Sequence, residues 1–597
     1  MRNFQKLVAV LALSGLCFAV PSPSGSDAPK KSTKHAAKVV KKDPTAEQLK
    51  ELKQAVDQQQ AATQQLQEQL KQTQQQLQQT QQQLSQAQAT ANAANAKVAT
   101  VETNTNMQVQ KVESDLTDVK TALNTTEATV AKDEKKVDYL EHPASIAYKG
   151  IRITPGGFLE MTSYWRSHAT VSDQATPFQA IPLEQQVNGA YNSNLTEFGM
   201  TARDSRIALR ADADAGTTKL AGYFEMDFFG AAPTANPNQT TSYNPRMRQG
   251  WGRAKFANGW TITGGQMWNL ITLNRKGTDA DNSNLWIPNI IEAQYSVGYD
   301  WGRFAEVRVS KQITPSVNFA IGIANPSYDL AYGNEGVTGL AVAGNGLLAT
   351  TVANISTNLA PDTIVKLAFD SPKLGHFEVK GIERFFRDRV PSTTTVPGWN
   401  NTAIGGGVGA GAIIPVVSKK VDFIAQGLWG KGISRYQDAG QYDFVVRSSG
   451  TTADHNLQPV KAFSVLAGFE THPNKKTELD LIYGQEYYYR DTYATTTATG
   501  TSIAGYGAPT TLAYGCYAEA SAAANCTVNN KTVWNVKLYG YYDLYKGPMG
   551  TLRYGAEVDY DERQTWAGTG TATTLTGFSA PKGNDKTGFV TMRYIFP

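Results

Sequence analysis

The residues of this chain that could do chemistry are charged side chains alternating with apolar ones. Arg206, Arg210, Arg246, Arg248, Arg308, Arg553 and Arg593 sit in such runs, and so do Glu225, Asp227, Glu478, Asp480, Glu557 and Asp559. On a strand, period-two alternation places the charges on one face and the apolar residues on the other. Basic and acidic walls opposed across a narrow aqueous lumen would set up a transverse field and an ion preference. Arginine adds a fixed pair of donors that suits carboxylate or phosphate. The competing reading is that these charges pair with one another and merely hold a wall together.

Catalysis finds no foothold. The six histidines (His35, His142, His168, His376, His455, His472) are scattered, with no paired metal-ligand spacing. There is no nucleophile elbow and no phosphate-binding loop. The run Gly405-Gly406-Gly407-Val408-Gly409-Ala410-Gly411 superficially resembles a dinucleotide loop, but a strand pattern follows it and not a helix. Close strand packing is the better reading. No cofactor, no metal and no enzyme activity are expected.

The elements that must position the charges are strands. Ser205 to Phe229 shows the pattern: Ile207 and Leu209 alternate with Arg206 and Arg210, then Phe224, Met226 and Phe228 alternate with Glu225 and Asp227. Asp214 to Thr217 joins the arms as a tight turn. Strands are expected near 156–166, 197–212, 218–228, 246–257, 260–272, 303–313, 316–326, 361–371, 376–388, 401–416, 420–433, 460–471, 476–491, 531–545, 549–562 and 585–596. Short turns separate alternate pairs, and long polar loops near 167–196, 229–245, 273–302, 327–360, 389–400, 434–459, 492–530 and 563–584 separate the others. Strict alternation of short and long connections is the plan of a transmembrane antiparallel β-barrel of about sixteen strands. The last strand agrees, since Val590, Met592, Tyr594 and Phe596 share a face, although Pro597 follows the final aromatic residue. The third loop carries Asp279, Asp281 and Trp286, and is expected to fold inward as a constriction element; an outward cap is the alternative.

Residues 1–19 read as a signal peptide: Arg2 and Lys6 precede the apolar run Leu7 to Val20. Residues 20–44 are a basic linker, and its lysines suit either solvent or an anionic cell-wall polymer such as peptidoglycan. Residues 45–141 lack Pro and Gly until the end of the run and repeat apolar residues in heptads: Leu49, Leu52, Val56, Leu66, Leu70, Leu77, Leu84, Ala91, Val98 and Val101. A four-residue shift then restarts the pattern at Val109, Val112, Leu116, Val119 and Leu123. This is a coiled coil with a stutter, preceding a barrel over 142–597. Cys516 and Cys526, ten positions apart in an exported chain, are expected to form a disulfide. A net charge of +4 and a charged fraction of 18% argue against nucleic acid as a partner.

The order of signal, coiled coil and barrel resembles the DcaP-like trimeric porins. Matching stretches are Gly157-Phe158-Leu159-Glu160, Gly222-Tyr223-Phe224-Glu225-Met226-Asp227-Phe228-Phe229, Gly265-Gln266-Met267-Trp268, Ala324-Asn325-Pro326 and Gly430-Lys431-Gly432-Ile433-Ser434-Arg435-Tyr436. The resemblance implies a homotrimer in outer-membrane lipid and lipopolysaccharide, with a periplasmic coiled coil. It also implies passive uptake of small anionic solutes such as dicarboxylates. A phosphate-type selective porin, a tether between outer membrane and cell wall, and a surface adhesin or phage receptor remain as rivals.

Overall fold

A computed structural model describes residues 114–127, 129, 145–188, 191–230, 243–293, 295–326, 359–390, 392, 394–395, 397–440, 442–447, 456–497, 500–570 and 577–597. The expected signal peptide, the basic linker and most of the coiled coil lie outside the described residues. The chain divides into two units, Met1–Pro143 and Ala144–Pro597. In the first, residues 114–127 are helical. Leu116 and Leu123, seven positions apart, are 49% and 42% exposed on that helix.

The second unit is a closed sheet. Its strands are β1 (Ile151–Arg166), β2 (Glu197–Thr201 and Arg206–Ala215), β3 (Thr218–Asp227), β4 (Arg246–Lys255), β5 (Trp260–Trp268) and β6 (Arg303–Gln312). Then come β7 (Val317–Ala324), β8 (Asp362–Ser371), β9 (Gly375–Val390), β10 (Trp399–Val417) and β11 (Val421–Lys431). The remainder are β12 (Lys461–Asn474), β13 (Thr477–Tyr488), β14 (Asn530–Gly547), β15 (Gly550–Thr565) and β16 (Lys582–Ile595). Each pairs antiparallel with the next, and β16 returns to β1 from Phe158↔Ile595 to Arg166↔Thr587. Closure removes both sheet edges, so no row of backbone donors and acceptors is left unpaired.

The sheet holds eighteen segments. Two of them, Glu197–Thr201 and Arg206–Ala215, are one strand broken by a bulge opposite β1. A third, Ile146–Tyr148, only extends the wall beside the start of β1. Sixteen spanning strands result, each within a few residues of its expected position. The stretch 291–302 alternates in sequence, yet its described residues form no strand.

Burial runs opposite to that of a soluble domain. Leu209, Phe224, Val307, Leu367, Val379, Leu481 and Met592 point outward and are exposed, whereas Glu225, Arg248, Glu378, Lys380, Asp480 and Asp559 are buried inside. An apolar band this continuous around a closed sheet is stable only against lipid. The apolar face of the Ser205–Phe229 hairpin is therefore the outside of a barrel.

Among the described residues, parts of the first, third and sixth loops fold into the lumen. The third, 269–302, lies against the wall so closely that glycine is required there. A Cβ added to Gly484 on β13 would meet the carbonyl oxygen of Val297 at 1.6 Å. On β10, a Cβ at Gly411 would meet Leu273 Cδ1 at 2.5 Å. The glycine run of β10 is thus a bed for the loop as well as a closely packed strand. The first loop contributes Phe178, Ile181 and Leu183, all buried, and the sixth contributes Tyr436 and Ala439. Gln174 donates to Ile291 O (2.8 Å) and Trp301 N donates to Tyr436 O (3.0 Å), which ties the first and sixth loops to the third.

Gly484→Val should push Val297 off the wall. Overpacking of this kind costs about 1–3 kcal/mol. The expected outcome is a lower unfolding temperature by circular dichroism together with a larger or noisier single-channel conductance.

Candidate pore and its charged constriction

The loop is held inside by charged side chains of the wall, each spent on a backbone group that would otherwise be unsatisfied. Lys366 Nζ donates to Thr272 O (2.7 Å), Asn274 Oδ1 (2.8 Å) and Glu378 (2.9 Å). Glu378 in turn accepts from Asn274 N (3.1 Å), and Lys380 donates to Ile271 O. Arg308 donates to Thr278 O (2.9 Å) and Trp268 O (2.6 Å) while pairing with Glu306 (2.7 Å). Glu557 accepts from the backbone of Ile291 and Glu292. Glu486 accepts from Gly298 N (3.0 Å) in the third loop and from Asp438 N (2.9 Å) and Ala439 N (3.0 Å) in the sixth.

These contacts correct part of the expected pore lining. Arg308, Asp480, Glu557 and Asp559 point inward but are almost fully buried, at 1–5% exposure. Arg308 and Glu557 are covered by the third loop. Asp559 pairs with Lys537 (2.7 Å), and Asp480 accepts from Thr471 N (2.8 Å). Alternation in sequence tells which face a residue takes, but not what lies over that face.

The expected opposition of basic and acidic walls is also corrected. Glu225 and Asp227 do not face arginines across the lumen. They pair with the neighbouring strand: Glu225 with Arg248 (2.6 Å), and Asp227 with Arg246 (2.7 Å) and Arg248 (2.8 Å). The cause is a bulge in β4, where Glu225 faces Gln249 and Met226 faces Met247. Arg248 is the extra residue, so Arg248 and Gln249 both turn inward. Arg206 pairs with Asp204 (3.0 Å), and Arg210 with Asp212 (2.8 Å) and Asp281 (2.6 Å). Arg553 pairs with Asp543 (2.8 Å) and sits 3.8 Å from Glu478, which also accepts from Asn289 (2.9 Å). Arg593 pairs with Glu160 (2.9 Å) and donates to Asn289 (3.3 Å).

Of the loop residues singled out, Asp281 binds Arg210 and Arg253 and so fixes the loop to β2 and β4. Asp279 lies 3.9 Å from Arg253. Trp286 is buried, donating to Glu470 (3.1 Å) and packing edge-on against Tyr299. It is a foot of the loop and not part of an aperture. Cys516 and Cys526 are joined, with Cα atoms 4.9 Å apart, in the seventh loop.

Among the described residues, two cavities lie beside the charged residues of the lumen. One, of about 360 Å³, is lined on its charged side by Arg246, Arg248, Arg303, Arg435 and Asp438. The other, of about 460 Å³, is lined by Arg206, Arg275, Arg553 and Arg593 together with Asp204, Glu292, Glu470 and Glu478. Among the described residues only Ala293 and Tyr295 border both. Tyr295 is set by Trp268, Tyr299 and Trp301 around its ring and accepts from Arg248 Nη2 (2.9 Å). The second cavity is balanced in charge. The first carries four arginines against one carboxyl. Burial pushes the Asp438 carboxyl well above its ordinary value, against the opposing hydrogen bond from Trp301 Nε1 (2.9 Å). Arg303, Arg435 and Tyr295 escaped the sequence reading. Arg303 and Arg435 lie at a strand start and in a loop, where alternation gives no signal.

No family model and no curated protein matches this chain. Among solved structures it is similar to the outer membrane channel DcaP of Acinetobacter baumannii, at 15% identity and TM-score 0.49, covering 76% of this chain and 99% of that one. It is similar also to an anion-selective porin from Comamonas acidovorans, at 11% identity and TM-score 0.37, covering 75% and 100%. OmpT of Vibrio cholerae, as expressed in the outer membrane, matches at 11% identity and TM-score 0.38, covering 76% and 100%.

Burial moves the ionisation of Asp438 to higher pH, and raising the pH through it adds a negative charge to the first cavity. Anion preference should therefore weaken on the alkaline side, read as a reversal potential moving toward cations in a salt gradient. In Asp438→Asn that alkaline change should vanish.

Proposed function

We propose that this chain is an outer-membrane channel for passive diffusion of small hydrophilic solutes, with a preference for anions. The observation that carries the reading is the first cavity, about 360 Å³ beside Tyr295, with four arginines around it and a single carboxyl, Asp438, whose ionisation burial disfavours. An anion about 4 Å from one uncompensated guanidinium gains about 4 kcal/mol at an effective dielectric of about 20. Exposed ion pairs elsewhere are worth about 0.5 kcal/mol each. One such site therefore outweighs the scattered surface charge in deciding which ion enters.

The closed barrel with a lipid-facing apolar band supports location in the outer membrane, because spanning barrels and their alternating loop lengths belong there. The exposed Leu116 and Leu123 of the helical stretch support association of three copies through a coiled coil, where each would bury its apolar seam. The basic linker supports a secondary attachment to cell wall. Small carboxylates, dicarboxylates among them, are the solute class that arginine pairs suit.

Purified full-length protein in a planar bilayer should show discrete conductance steps and a reversal potential on the anion side. Arg246→Gln with Arg248→Gln removes two cations and leaves Glu225 and Asp227 uncompensated. That double change should move the reversal potential to the cation side. Steps with an unchanged reversal potential would contradict the assignment of selectivity to this cavity.

A further inference from the structure

One arginine of the first cavity differs from its neighbours. Arg206 and Arg593, nearer the second cavity, and Arg246, Arg248 and Arg435 all have a carboxylate within 3.6 Å. Arg303, at the start of β6, forms no ion pair among the described residues. Its Nη1 is buried without a hydrogen-bond partner among them. The guanidinium lies over the rings of Trp268 (5.0 Å) and Trp301 (5.5 Å), which hold its plane in place. Arg206, Arg246 and Arg248 are within electrostatic reach and of like sign. A buried donor with no acceptor and three like charges nearby is costly while empty, and an arriving anion relieves both costs.

The cavity around it is half apolar in character, with Phe229, Tyr295, Trp301 and Phe304 among its walls. Resting on the channel reading above, we propose that Arg303 docks the head group of a small monocarboxylate whose aliphatic tail lies against Phe229, Trp301 and Phe304. The planar head matches the free edge of a fixed guanidinium. The tail gains about fourfold in affinity for each CH₂ it buries. A multiply charged inorganic anion would lose its hydration against the aromatic walls without that gain. A volume of about 360 Å³ is of the size that takes a molecule of this class.

The test is calorimetric titration of the full-length protein in detergent with acetate, butyrate, hexanoate and inorganic phosphate. Affinity should rise along the three carboxylates and be weakest for phosphate. Arg303→Gln should weaken hexanoate at least about tenfold, as expected for removing a charged partner from a buried head group. Arg303→Lys, which keeps the charge but not the paired donors, should weaken it by about threefold. The proposal is overturned if phosphate binds as tightly as hexanoate, or if both variants bind hexanoate like the parent protein. Saturable hexanoate binding without conductance steps in a bilayer would overturn the channel reading and uphold the site. Steps without carboxylate binding would overturn the site alone.

Discussion

Irregular backbone can sit inside a membrane-spanning barrel only when its N–H and C=O groups find partners, and this constraint shapes the rest of the structure. The third loop satisfies it through Lys366, Lys380, Glu378, Arg308, Glu557 and Glu486, all inward-facing wall residues that bind its main chain. Burying so many charges is expensive, so they come in opposed sets, with Lys366 and Lys380 about Glu378 and Lys537 about Glu557 and Asp559. Each of those sets anchors the loop. None is at liberty to select ions.

The consequence is an asymmetric lumen. Loops one, three and six cover part of the inner wall, and the cavities left beside them are lined by β1, β2, β4, β6, β12, β13, β15 and β16 together with the loops themselves. The charges under the loops work as structural fasteners. Those beside the cavities line the path of the proposed channel. Tyr295 joins the two roles, since its ring belongs to the loop's aromatic cluster while its hydroxyl borders the aperture and accepts from Arg248.

The β4 bulge shows how little geometry separates a cavity-lining charge from a fastener. By turning Arg248 and Gln249 inward together, it brings Arg248 within reach of Glu225, Asp227 and Tyr295 at once. An unbulged β4 would offer one inward residue where two now stand. Glycine has the matching role on the opposite wall, where Gly484 and Gly411 let the loop approach to van der Waals distance. A bulge on one wall and missing side-chain volume on the other therefore fix where the loop and Arg248 sit.

Much of this was legible in the sequence by itself. Period-two alternation determined the strands, their number and which face each charge would take, because the pleat fixes side-chain direction without reference to anything distant. Connection lengths separated turns from long loops, and the spacing of Cys516 and Cys526 matched the pair found joined. Which inward charges stay open to solute was decided only by tertiary structure. Arg308 and Arg248 are both expected to face inward from the sequence, yet one lies under the loop and the other borders a cavity. The loop's path depends on contacts between residues a hundred or more positions apart, such as Asn274 with Glu378 and Ile291 with Glu557. Alternation encodes a face; it carries no information about what another part of the chain will lay across it.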